Sequence, residues 1–190
     1  MRMLLLALMV FIGAQASAND NTIVFQVLKA QGLFDQKVKP LGLDWKVGEN
    51  TQHNINMGFV SGTMDSKVRE ATTEGFWMEQ KMNLGFFGEQ LVEIHINKNT
   101  GEIIEMRVNG EKQTPPDQGN QEIVDMQEAS ISVPAGTFDC VYLKIRDNSN
   151  NQESQAWLNP TVIPMTGMIK MIQPSQFGEV VVELTGYQKL

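Results

Sequence analysis

From His53 to Tyr187 the chain repeats one pattern: apolar residues at every second position for several residues, then a short break rich in Gly, Asn, Asp, Pro or Ser. A period of two belongs to strands with one covered face, and short polar breaks are the chemistry of hairpin turns. The clearest instance pairs 91–97 with 102–109, where Val92, Ile94 and Ile96 are mirrored by Ile104, Met106 and Val108 across Lys98-Asn99-Thr100-Gly101. Glu93, His95, Glu105 and Arg107 take the opposite phase, as expected when only one side of a sheet is covered. Such a chain can hardly fold as anything but an antiparallel meander.

The same reading places strands through Ile55, Met57 and Phe59, through Met64 and Val68, and through Phe76, Met78, Gln80 and Met82. A second group is expected at 128–133, 138–147, 155–158, 168–173 and 178–187, with Asp147-Asn148-Ser149-Asn150-Asn151 as a hairpin tip. The stretch 111–120, with Pro115-Pro116-Asp117 and Gly119, reads as a long loop between the two groups. The total is nine or ten strands. Leu41, Leu43, Trp45 and Val47 alternate as on an edge strand or its approach, and Ile23, Val24, Val27 and Leu28 are spaced as on a short helix over 22–34.

The first residues have another character. Arg2, an apolar run over 4–12, and small residues at Ala16 and Ala18 are the three parts of a secretory signal peptide. We expect residues 1–18 to be removed after Ala18, leaving 19–190 as a single β-rich domain in the periplasm. No Cys follows Ala18 to accept a lipid, and no later run is long enough to span a bilayer as a helix.

Charge excludes one class of partner. The formal net charge is -7, and loss of Arg2 takes it to -8; Lys and Arg occur singly or in pairs, so phosphate backbones find no basic footprint and nucleic acid is not expected. Catalytic equipment is equally sparse. His53 and His95 stand at what reads as the polar phase of their strands, without Cys or a second His at metal-ligand spacing, so neither a metal nor another cofactor is expected. Gly-x-Ser-x-Gly and phosphate-cradling glycine loops are missing. The expectation is a protein that is not an enzyme. Cys140 is the lone cysteine and lies in an apolar strand, where it should be a small buried hydrophobe.

Methionine is the unusual component. Of twelve, nine follow Ala18, and Met57, Met78 and Met106 fall in phase with apolar strand positions, as does Ile94. Flexible thioethers suit a surface that accepts apolar ligands of varied shape, and they also fill irregular cores. Met57, Met78, Ile94 and Met106 are therefore the candidate lining of a ligand site, with Met165 and Met168 at its mouth. The apolar stretch 162–169 is either a rim loop over such a site or an internal strand end.

Val133-Pro134-Ala135-Gly136-Thr137-Phe138-Asp139-Cys140, then Ala156-Trp157-Leu158-Asn159-Pro160, Ile163-Pro164, Gly167-Met168-Ile169-Lys170 and Glu183-Leu184-Thr185-Gly186-Tyr187, resemble the C-terminal signature of a family of exported bacterial β-rich proteins without assigned function. Trp45-Lys46-Val47-Gly48 and Thr100-Gly101-Glu102-Ile103 resemble its weaker N-terminal landmarks. Members of that family are similar in shape to the LolA and LolB lipoprotein carriers. The resemblance implies a mainly β fold, a curved antiparallel half-barrel with one or two short helices over a hydrophobic cavity. The methionine-lined face points to a lipid or other apolar ligand such as an acyl chain as partner; the alternative is an envelope structural or assembly protein that acts through protein contacts.

Overall fold

The computed structural model describes residues 43–190 other than 59, 86–87, 100, 102, 115–120, 149 and 176–177. The expected signal peptide and the expected helix over 22–34 lie outside the described residues, as does Phe59. Among the described residues there are eleven strands: β1 (Asn50–Asn56), β2 (Ser61–Ala71), β3 (Gly75–Asn83), β4 (Glu89–Asn97), β5 (Ile103–Val108), β6 (Glu111–Gln113), β7 (Gln121–Val133), β8 (Gly136–Asp147), β9 (Gln152–Leu158), β10 (Met168–Ser175) and β11 (Gly178–Gln188). They form one antiparallel sheet in the order β6-β5-β4-β3-β2-β1-β11-β10-β9-β8-β7. The fold class is thus the expected mainly β sheet, open and curved, with more strands than the nine or ten read from the sequence.

The additional strand comes from the stretch read as a loop. Glu111–Gln113 folds back on β5, pairing Val108 with Glu111 and Met106 with Gln113, because Asn109 and Gly110, both at positive φ, make a tight turn there. Two other readings need correction. Ile96 pairs with Ile103 across a bulge, so Ile104 is pushed out of the apolar phase and is 42% exposed. Leu43 and Trp45 pack against the core without forming a strand, and Val47 is exposed.

Every strand neighbours its sequence neighbours except at one place. β1 pairs with β11, joining the two halves of the sheet, while β6 and β7, consecutive in the chain, are its two edges. A flat sheet of this many strands would be roughly 48 Å wide. Gln113 and Gln121 are eight residues apart, a span of at most about 29 Å. The sheet must therefore curve until its edges approach, and the right-handed twist of strands supplies the direction. The two edges cannot then zip together. Alternation around an odd number of strands leaves β6 and β7 running parallel, and a parallel pair needs a crossover of a dozen or more residues. A seam is left between them.

The core lies on the inner face. Ile55, Met64, Val68, Met78, Met82, Ile94 and Met106 from one half join Val141, Leu143, Ile145, Met171 and Val182 from the other in one cluster of buried side chains. A second cluster, Cys140, Ile163, Ile169 and Leu184, sits where the β7–β8 hairpin meets β11, with Ala135 N–H donating to Leu184 O at 3.1 Å. The outer face carries cross-strand ion pairs such as Lys67–Glu79, Lys170–Glu183 and the Lys144–Glu153–Arg146–Glu122 chain. These keep the outer face solvated and each adds little stability.

Candidate functional site

Period-2 phase brings three of the sequence-derived candidates into register. Met78 on β3 lies opposite Ile94 on β4, which lies opposite Met106 on β5, and Val68 on β2 extends the row beyond Met78. All four side chains are buried. Met57, just past β1, is half-buried and packs against the same cluster. Met165 and Met168, in the approach to β10, belong to that cluster too and are each only 8% exposed, so they sit inside the core.

The stretch 162–169 is a largely buried loop up to Gly167, with strand beginning only at Met168 and Val162 39% exposed. Ile163 and Ile169 are fully buried, and Met165 adopts a left-handed backbone (φ 57°). Asn159 holds the segment down: its Oδ1 accepts from Thr161 N at 3.1 Å and Val162 N at 3.2 Å, while its Nδ2 donates to Asp139 O at 2.8 Å. The loop plugs one end of the curved sheet.

Of the polar residues on the inner face, Gln80 was placed in phase from sequence, whereas His53 was not and Thr51 and Ser66 were passed over. His53 was assigned to a polar phase, yet it shares the phase of Ile55 and is 2% exposed. Its Nε2 lies 3.1 Å from Met168 O, and a carbonyl only accepts, so Nε2 carries the proton and Nδ1 is an acceptor, buried without a partner among the described residues. Thr51, Ser66 and Gln80 are also buried and lie directly opposite one another across β1, β2 and β3. Their phase was legible all along: Ser66 stands between Met64 and Val68, and Gln80 between Met78 and Met82.

Burial pushes the His53 imidazole down to about 4, with the Met168 carbonyl and Asp65 opposing the shift. The neutral ring is thus favoured in the fold. Stability tied to it is complete above the unfolded value of 6.5 and is lost as pH falls toward 4, by about 3 kcal/mol in all. His53→Gln should remove that part of the pH dependence: the loss of melting temperature between pH 7 and pH 4 should be smaller than in the parent protein. An identical pH profile would show that His53 is not buried as described.

His95 is used differently. On the outer face it stacks on Trp77 (centroids 4.9 Å apart, planes at 10°) and its Nε2 lies 3.0 Å from Thr72 Oγ1. Arg69 and Arg107 lie over the same indole at 5.2 and 5.0 Å, and Arg69 pairs with Glu93. This ladder of rings and cations ties β2 to β5. Among the described residues no group of three His, Cys, Asp or Glu side chains could hold a metal ion, and no helix is long and apolar enough to cross a membrane. Cys140 is buried, its thiol pushed up to about 11 by burial and by Asp139. A thiol reagent at pH 7.5 should leave it unmodified until denaturant is added; prompt labelling of the folded protein would contradict its burial.

At the seam the inner face is less well covered. Met126 on β7 lies opposite Leu143, on the core-facing side, and is 37% exposed. Glu128 follows it on the same side, opposite Val141, and is exposed. On the other edge Glu111 faces inward opposite Val108.

No described protein family matches the sequence, and no curated protein matches it. Three solved structures are similar in fold. One is a protein of Bacteroides fragilis provisionally assigned as exported, with a YmcC-like fold: TM-score 0.42, 12% identity, over 80% of this chain and 100% of that one. Another is the hypothetical protein CT021 of Chlamydia trachomatis: 0.44, 10%, over 76% and 88%. The third is a protein of Parabacteroides distasonis provisionally assigned as a lipoprotein: 0.38, 13%, over 80% and 100%. Likeness this distant does not carry a function from one chain to another.

Proposed function

We propose that this is an exported, non-catalytic binding protein of the bacterial envelope, which takes an apolar ligand such as an acyl chain against the inner face of its curved sheet. The observation that carries this reading is the seam. An otherwise continuous meander leaves one side unzipped, and behind it lies a methionine-rich surface of Met64, Met78, Met82, Met106 and Met171. Thioethers re-pack at low cost, so a face that is filled in the free protein can still yield to an acyl chain entering between β6 and β7. A half-barrel carrier shape is implied by the sequence resemblance alone, and lipoprotein cargo is not part of the proposal. A non-catalytic role is supported by both histidines being engaged in packing and by the shielded Cys140 thiol.

Native and delipidated protein should differ by mass spectrometry, the native form releasing a co-purifying lipid. Material purified without detergent from envelope extracts that carries no lipid, and takes none up afterwards, would remove the reading.

One observation favours the alternative, an assembly role. β7 is thirteen residues long, pairs only with β8, and contains neither Pro nor Lys to blunt its free edge. Such an edge can accept a strand from another protein. Ser130→Pro would block strand addition there while sparing lipid uptake, which separates the two readings.

A further inference from the structure

The buried polar row on β1, β2 and β3 is a feature of the inner face that neither core packing nor an acyl chain uses. Thr51, Ser66 and Gln80 stand buried and in register across three adjacent strands, and beside them His53 Nδ1 is buried without a partner among the described residues. His53 is two residues from Thr51 on the same face, opposite Met64, and a diagonal step of about 7–8 Å between Cα atoms separates it from Ser66. Above and below the row lie Met64, Met82, Val68 and Met78, all buried. An acceptor such as His53 Nδ1 left without a partner in such surroundings is costly, and a binding site repays that cost by using it, with the hydroxyls and amide beside it, to orient its ligand.

We infer that Thr51, His53, Ser66 and Gln80 bind the uncharged, hydroxyl-bearing head of an amphiphile whose tail lies along the methionine face. The inference rests on the apolar-ligand reading above and specifies its chemistry. The head must donate a hydrogen bond, because His53 Nδ1 offers a lone pair. It must also accept, because the two hydroxyls and the Gln80 amide have protons to give. It must be neutral. No cation faces the row from β1, β2 or β3, and the acid in the same phase, Glu49, already accepts from Lys46 N at 3.1 Å and Leu190 N at 3.3 Å. An anionic carboxylate brought here would be buried beside Glu49 without a counter-charge.

The test uses the delipidated protein with 1-monooctanoylglycerol and octanoate, titrated calorimetrically at pH 8. The glyceride should bind at least about tenfold more tightly than the carboxylate, the worth of one or two hydrogen bonds. Ser66→Ala/Gln80→Leu should reduce that preference to less than about threefold while the melting temperature holds or rises; Ser66→Ala alone serves if the double variant does not fold. Equal binding of the two ligands would overturn the head site and leave the apolar reading standing. No binding of either would overturn both. A preference that survives in the variants would mean that the row holds only buried water.

Discussion

Met78→Glu is expected to unfold the domain, where a surface lining a roomy cavity would only lose its ligand. Met78 is 2% exposed and is flanked in register by Val68 and Ile94, so a carboxylate there has neither water nor a counter-ion. The penalty for such a charge is on the order of 4 kcal/mol, a large part of the 5–15 kcal/mol that holds a domain of this size together. The urea midpoint should fall accordingly and recover in part at low pH, where the carboxyl takes up a proton. Met78→Leu, which keeps volume and polarity, should cost under about 1.5 kcal/mol. A soluble Met78→Glu protein with the parent's midpoint would mean that the inner face is wet.

Gly75→Ala should be nearly as damaging, for a reason that lies in the backbone. Gly75 opens β3 opposite Asn97, and a Cβ there would come within 1.8 Å of Ile96 O and 2.7 Å of Ile96 C. Neither atom can move without disturbing the β3–β4 pairing. The Thr72 turn would go with it, since Gly75 N–H donates to Thr72 Oγ1 at 2.9 Å and Gly75 O accepts from Thr72 N at 2.7 Å. A loss on the order of 3 kcal/mol is expected. Gly58→Ala is the control: at φ +80° with nothing within 4 Å of the added Cβ, it should cost only the left-handed backbone penalty, about 1 kcal/mol. Equal melting temperatures for the two variants would contradict the close approach at Gly75.

Much of the sheet was legible because alternation is a local signal. Val92, Ile94 and Met106 could be placed on one face from their spacing alone, and the structure puts them there. What escaped depended on facts that spacing does not carry. β6 is three residues of Glu, Lys and Gln, an edge strand with no apolar phase to betray it. The bulge that turns Ile104 outward shifts phase by one residue, and nothing in Ile103-Ile104 says which of the two faces the core. His53 was misplaced because polarity was weighed above parity; its alternation with Ile55 pointed inward. Met165 and Met168 were rightly taken as apolar, but their depth depends on the Asn159 turn, a tertiary arrangement.

The odd strand count has a consequence for how this fold can change. A ring of elements alternating in direction resembles a ring of spins with antiferromagnetic coupling: with an even number every pair is antiparallel, and with an odd number one pair must run parallel, which between consecutive strands needs a longer crossover than residues 114–120 provide. Here that pair is β6 and β7, far in the ring from the β1–β11 junction of the chain's two halves. Gain or loss of a single strand would remove the mismatch and allow full closure, whereas gain or loss of a hairpin would preserve it. A chain with one strand more or fewer could close with antiparallel pairs alone, whereas this one would need a parallel pair and a longer connection between β6 and β7.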